Sequence, residues 1–131
     1  MKEDLIKQNR NRVYRINRDS ARLLKEMNSG VSYVEIAYTM TFSSGVCPVK
    51  PLVGHTVINP EDKLFWHSWC LNKDCTSNGF YLTDEIEKAI HLRKVIAGEK
   101  KCDGKEDWKY LSSSACPCLT TLKYTITPVF K

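Results

Sequence analysis

The sequence predicts an α+β fold: a basic N-terminal helix, a mainly antiparallel sheet of four to six strands, and a second helix near residues 84–97. Three observations carry this expectation. Apolar residues recur at helical spacing through residues 3–28, and the period drops to two after Gly30. The order is then three or four strands, a helix, and one or two strands, without the regular strand–helix alternation of a parallel sheet. At 131 residues the chain fits a single domain, with residues 1–29 as the basic amphipathic helix and 31–131 as a cysteine-containing core.

The first helix, over residues 3–28 with Gly30 after it as a stop signal, places Val13, Ile16, Ser20, Leu23, Leu24 and Met27 on one side. In the following strand Val34, Ile36, Tyr38, Met40 and Phe42 alternate with Glu35, Ala37, Thr39 and Thr41, the pattern of a half-buried strand. Ser43-Ser44-Gly45 ends it, a second strand covers Leu52 to Ile58, and Asn59-Pro60-Glu61-Asp62 turns the chain. Residues 63–82 read as a hairpin, with apolar arms Leu64 to Leu71 and Phe80 to Leu82 around a polar turn. Thr83 is placed to cap a helix over Asp84 to Ala97, with acids at its start, Arg93 and Lys94 near its end, and Gly98 beyond. A charged loop over 99–107 leads to a final strand, where Leu122, Tyr124 and Ile126 alternate with Lys123 and Thr125. Pro128 assigns the end of that strand to a sheet edge.

Charge is unevenly spread. The chain carries a net +5, and residues 1–30 hold eight Lys/Arg against four acids, which leaves +4 in that segment. The winding of the first helix gathers Arg15, Arg18, Arg22 and Lys25 into a stripe opposite the apolar side, with Arg12 nearby. A basic stripe of this kind points to an anionic partner, either nucleic acid or an acidic protein surface.

Six cysteines supply the second chemical signal. Cys70 and Cys75 are separated by four residues, Cys116 and Cys118 by one, and tetrahedral zinc is commonly held by two such close pairs. His67 and Cys102 are possible substitutes for Cys118. Thiols left unliganded and disulfides are the other states open to these residues. The opening MKEDLIKQNRNRVYR has no apolar signal region, and no apolar run approaches the roughly 18 residues of a membrane span. A cytoplasmic location is therefore expected, where disulfides are rare, and zinc becomes the expected cofactor.

Catalytic motifs are missing: there is no phosphate-binding glycine loop, dinucleotide fingerprint, HExxH or nucleophile elbow. Phe42-Ser43-Ser44-Gly45-Val46-Cys47-Pro48-Val49 resembles the cysteine loop of the tunnelling-fold nitrile reductases that act on deazaguanine, over those eight residues. The resemblance implies a covalent nucleophile at Cys47. That family's Glu-Ser-Lys segment has no counterpart after Leu64. Cys116-Pro117-Cys118 is similar to a short motif of related cyclohydrolases but lacks its flanking residues, so no site is carried over.

The function expected from the sequence is that of a small, basic, zinc-stabilised binding protein without enzymatic activity. It would engage nucleic acid or an acidic protein surface through its N-terminal helix, as inhibitors and adaptors of phages and mobile elements do. A small enzyme using a Cys–His pair and a subunit of a ribonucleoprotein assembly are the alternatives.

Overall fold

The structure, a computed structural model, describes residues 2–42, 51–70, 79–102 and 120–131. Its elements are α1 (Lys2–Ser20), α2 (Leu24–Met27), β1 (Val31–Phe42), β2 (Leu52–Ile58), β3 (His67–Ser68), β4 (Phe80–Tyr81), α3 (Thr83–Leu92), β5 (Ile96–Lys101) and β6 (Thr120–Phe130). Four strands form an antiparallel sheet in the order β2–β1–β6–β5, and β3 pairs with β4 in a small separate hairpin. The α+β class and the antiparallel sheet are as the sequence predicts. Among the described residues no helix is long and apolar enough to cross a membrane.

The period-two pattern of β1 fixes the sheet. Val34, Ile36 and Met40 are buried, and their partners across β6 are Pro128, Ile126 and Leu122. One face of the sheet therefore carries the core, completed by Leu24, Leu64, Trp66, Phe80, Leu82, Ile86, Ala89 and Ile90 from the segments packed over it. The other face exposes Ala37, Thr125, Ala97, Lys123 and Glu99. A one-residue slip in register would exchange these two sets, so burial of one face holds the pairing in place.

Near the middle of the core face runs a row the sequence did not announce: Gly54, Tyr38, Tyr124 and Gly98, side by side across β2, β1, β6 and β5. The Tyr38 ring lies over Gly54, where a Cβ would collide with its Cζ and hydroxyl, and a Cβ on Gly98 would come 2.7 Å from the Tyr124 hydroxyl. Each tyrosine thus fills the space that its glycine leaves open at the flank of the sheet, a pairing that restores buried area lost at glycine.

Four sequence expectations are corrected. The N-terminal helix is not continuous to residue 28: it stops at Ser20, and Leu23 is extended. The reason is a set of hydrogen bonds from the 59–64 turn. Leu24 N–H donates to the Asp62 carbonyl (2.9 Å), Lys25 N–H to that of Pro60 (3.1 Å), and Leu64 N–H to that of Arg22 (2.7 Å). Lys63 Nζ, at 3.1 Å from both the Arg18 and Asp19 carbonyls, supplies the cation that the C-terminus of α1 attracts.

The second helix likewise stops early, at Leu92 rather than Ala97, because Arg93 turns left-handed (φ 53°) and its N–H returns to the Ile90 carbonyl. Residues 96–101, expected as helix end and charged loop, form β5 on the flank of β6. Thr83 does not cap α3; it lies within the helix, and its Oγ1 accepts a hydrogen bond from Trp66 N–H at 3.4 Å.

β6 is an inner strand, yet β5 pairs with it only as far as Ile126, so Pro128 lies where β6 has β1 alone beside it. The hairpin tip, the Cys47 loop and the Cys116–Cys118 segment lie outside the described residues.

The glycine–tyrosine row generates a test. Gly54→Ala should cost about 1–3 kcal/mol in urea unfolding through overpacking against Tyr38. Combined with Tyr38→Ala, it should cost clearly less than the sum of the single losses, because the collision is then gone. Strict additivity would show that the ring does not cover Gly54.

Candidate functional site

The N-terminal helix is held by an aromatic cluster rather than by its predicted apolar side. Tyr14 is the centre: its ring is 5.7 Å from Phe65, 4.8 Å from His67 and 5.6 Å from Trp69, centroid to centroid. Tyr81 closes the group against His67 (4.5 Å) and Phe65 (6.0 Å). Phe65, His67 and Trp69 occupy alternate positions of one extended arm, so they share a face, and the intervening Trp66 turns the other way. Trp66 is buried, lies 5.0 Å from the Tyr38 ring and has its indole N–H 3.4 Å from Thr56 Oγ1. The hairpin arm is therefore packed on both faces, with the sheet beneath and α1 above.

Two arginines join this contact. The Arg10 guanidinium is 4.6 Å from the Trp69 ring and that of Arg18 is 5.6 Å from Tyr14. Arg10, Tyr14 and Arg18 are four residues apart, which places them on one side of a helix, where the arginine side chains cover aromatic surface. The docking side is consequently rotated from the predicted one. Ile16, expected toward the core, is 55% exposed. The docking of Tyr14 against three rings buries aromatic surface that the isolated Ile16 side chain cannot match, and it decides the orientation.

The five basic residues singled out from sequence are thereby separated. Arg12 and Arg15 are exposed on the outward side of α1. Arg18 is drawn toward Tyr14 and toward Asp19, 3.2 Å away. Arg22 lies in the extended link after α1, and Lys25 is on α2, 2.7 Å from Glu61. The Glu61 carboxylate, by that hydrogen bond and by its charge, holds the Lys25 ammonium above its ordinary pKa. The break at Ala21–Leu23 thus removes Arg22 and Lys25 from the stripe.

Beneath the end of α1 is a cavity of about 400 Å³. Arg22, Phe65, Tyr81, Asp84, Glu87 and Lys100 are among the residues that line it. Lys100 is fixed there by the Glu85 carboxylate (2.7 Å) and the Tyr81 carbonyl (2.9 Å). The same cluster acts on Tyr124. Burial raises its phenol above the ordinary value, the Glu85 charge adds to this, and the Lys100 charge opposes it.

Of the predicted metal ligands, Cys70 and Cys102 are among the described residues; Cys75, Cys116 and Cys118 are not. Cys70 Sγ is 3.2 Å from Thr120 Oγ1, and Cys102 N–H donates to the Thr120 carbonyl at 2.9 Å. Both cysteines therefore meet the start of β6. His67 is instead enclosed by Tyr14, Trp69 and Tyr81. Among the described residues no three His, Cys, Asp or Glu side chains converge as a metal site.

The sequence reading missed the aromatic mount, although its signal was present: Arg10, Tyr14 and Arg18 at helical spacing, and Phe65, His67 and Trp69 at strand spacing. Comparison of the chain with protein-family models, with curated proteins and with solved structures finds no match.

Tyr124 gives a pH test. The fold favours its neutral form, so its contribution is complete below the ordinary tyrosine value of about 10 and is lost as pH rises through the raised folded value. Thermal unfolding from about pH 8 to about pH 11 should show a smaller alkaline loss in Tyr124→Phe than in the wild type. Identical curves would exclude the phenol as a contributor.

Proposed function

We propose that this protein is a non-enzymatic nucleic-acid-binding module that presents the outward face of α1, and that its cysteines hold a structural zinc. One observation carries the first part: α1 is mounted on the body through Tyr14, Arg10 and Arg18, and this leaves Gln8, Asn9, Asn11, Arg12 and Arg15 exposed together. The arginines supply charge and a planar fork of donors for phosphate oxygens. The amides favour nucleic acid over an acidic protein surface, because Asn and Gln offer a donor and an acceptor to a base edge, where a carboxylate surface calls only for donors.

The zinc reading is supported by the meeting of Cys70 and Cys102 at Thr120. In sequence Cys118 precedes Thr120 by two residues, and Cys75 follows Cys70 by five. Cys102 and His67 are the alternative ligands to Cys118.

The binding test uses RNA and DNA oligonucleotides, single-stranded and duplex, with polyglutamate as the acidic-polymer control. Arg12→Gln with Arg15→Gln should leave the melting temperature nearly unchanged, as exposed charges contribute only about 0–1 kcal/mol per pair to folding. The same variant should bind oligonucleotides more weakly and lower the slope of log affinity against log salt by roughly two. Unchanged affinity and slope, or preference for polyglutamate, would overturn the proposal.

For the metal, the protein purified without chelator should carry stoichiometric zinc, and Cys70→Ser should lower both zinc content and melting temperature, since metal binding and folding are coupled. Protein that lacks zinc and melts identically with and without a chelator would exclude it.

A further inference from the structure

The two edges of the sheet differ sharply. β5, at one edge, ends in Glu99, Lys100 and Lys101, the kind of charge that keeps a strand from pairing with another chain. β2, at the other edge, is Leu-Val-Gly-His-Thr-Val-Ile and carries no Lys, Arg, Asp or Glu. Among the described residues it is paired on one side only, with β1. Leu52, Val53 and Val57 are 43%, 74% and 40% exposed, so half of the six exposed large hydrophobics among the described residues belong to this one strand. Among the described residues no strand pairs with its outer backbone groups, and its valines are exposed.

We infer that β2 is a self-association edge: two copies of the chain pair through it, antiparallel, about a two-fold axis at His55. The partner is identified by the strand itself, which is close to a palindrome. Turned about His55, Val53 falls opposite Val57, Gly54 opposite Thr56, and Leu52 opposite Ile58. A two-fold interface requires this kind of self-complementarity, because each contact is made twice.

The register is also constrained by the sheet. Residues opposite one another across an antiparallel pair point to the same face, so a two-fold axis must pass through a residue rather than between two. Otherwise the core face of one copy would continue as the open face of the other. Of the axes that pass through a residue, His55 alone overlaps the whole of Leu52–Ile58, between Pro51 and the Asn59-Pro60 turn.

The arrangement joins two four-stranded sheets into one and supplies the outer N–H and C=O groups of β2 with partners. On the open face Val53 of each copy packs against Val57 of the other, a cross-strand apolar pair formed twice.

Sedimentation velocity on the full chain over a concentration series tests the proposal. The wild type should shift from monomer toward dimer as concentration rises. Val53→Lys and Val57→Glu, both at exposed positions, should each keep the native melting behaviour and sediment as monomers. The double variant should recover the dimer, because the introduced lysine of each copy then faces the introduced glutamate of the other. Amide exchange on the wild type provides a reading that needs no variant: β2 amides should exchange more slowly at high concentration than at low.

A wild type that stays monomeric at every concentration would overturn the proposal. So would a Val53→Lys protein that dimerises as the wild type does. A double variant no better than its parents would refute the His55 register.

Discussion

The pairing of β1 with β6 is the contact on which the other elements depend. It runs from Val31–Phe130 to Phe42–Thr120, and it brings together the first and the last strand of the described residues. Every other strand of the main sheet is added to one of these two: β2 to β1, and β5 to β6. The core face they create is the floor on which α3, α2 and the hairpin close. Bringing such distant segments together costs loop entropy before any contact is gained, and it is offset by burial of Val34, Ile36, Met40, Leu122 and Ile126. No local interaction in this chain has that reach.

Above this floor, one short extended arm carries the N-terminal helix. Leu64 and Trp66 are buried toward the sheet, while Phe65, His67 and Trp69 receive Tyr14 of α1. The orientation of the basic helix is thus set by side chains more than 50 residues away in sequence, and through Trp66 and Tyr38 it is tied to the middle of the sheet. The same turn that feeds this arm also ends α1, since its carbonyls take the N–H groups of Leu24 and Lys25. Which arginines face outward is therefore a property of the whole assembly.

What was legible in the sequence divides along the same line between local and distant causes. The alternation of β1, the extent of β2 and the paired arms of the hairpin were read from local sequence, because the pattern lies within each segment. The break at Ala21–Leu23 was not, because the groups that replace the helical hydrogen bonds come from residues 60–64. β5 was missed for a similar reason: Ile-Ala-Gly-Glu-Lys-Lys has little strand character, and β6 imposes it. Of the basic residues, Arg12 and Arg15 face outward as read. Arg18 turns to Tyr14, a contact that needs the hairpin arm to be known in advance. The convergence of Cys70 and Cys102 at Thr120 depends on the ends of β5 and β6 meeting, which spacing alone does not encode.

The inner position of β6 bears on how the molecule comes into being. Of the sheet strands it is the last to be synthesised, yet it separates β1 from β5 and is the partner of both. While a ribosome is still adding residues before Thr120, β1 and β2 can form a hairpin, but one whose whole inner edge awaits its neighbour. Domains generally fold as units once their chain is available, and unpaired edges invite wrong partners in the interval. The central seam of the sheet is thus completed only when β6 is available, whereas in a fold whose last strand lies at the rim the centre is complete earlier.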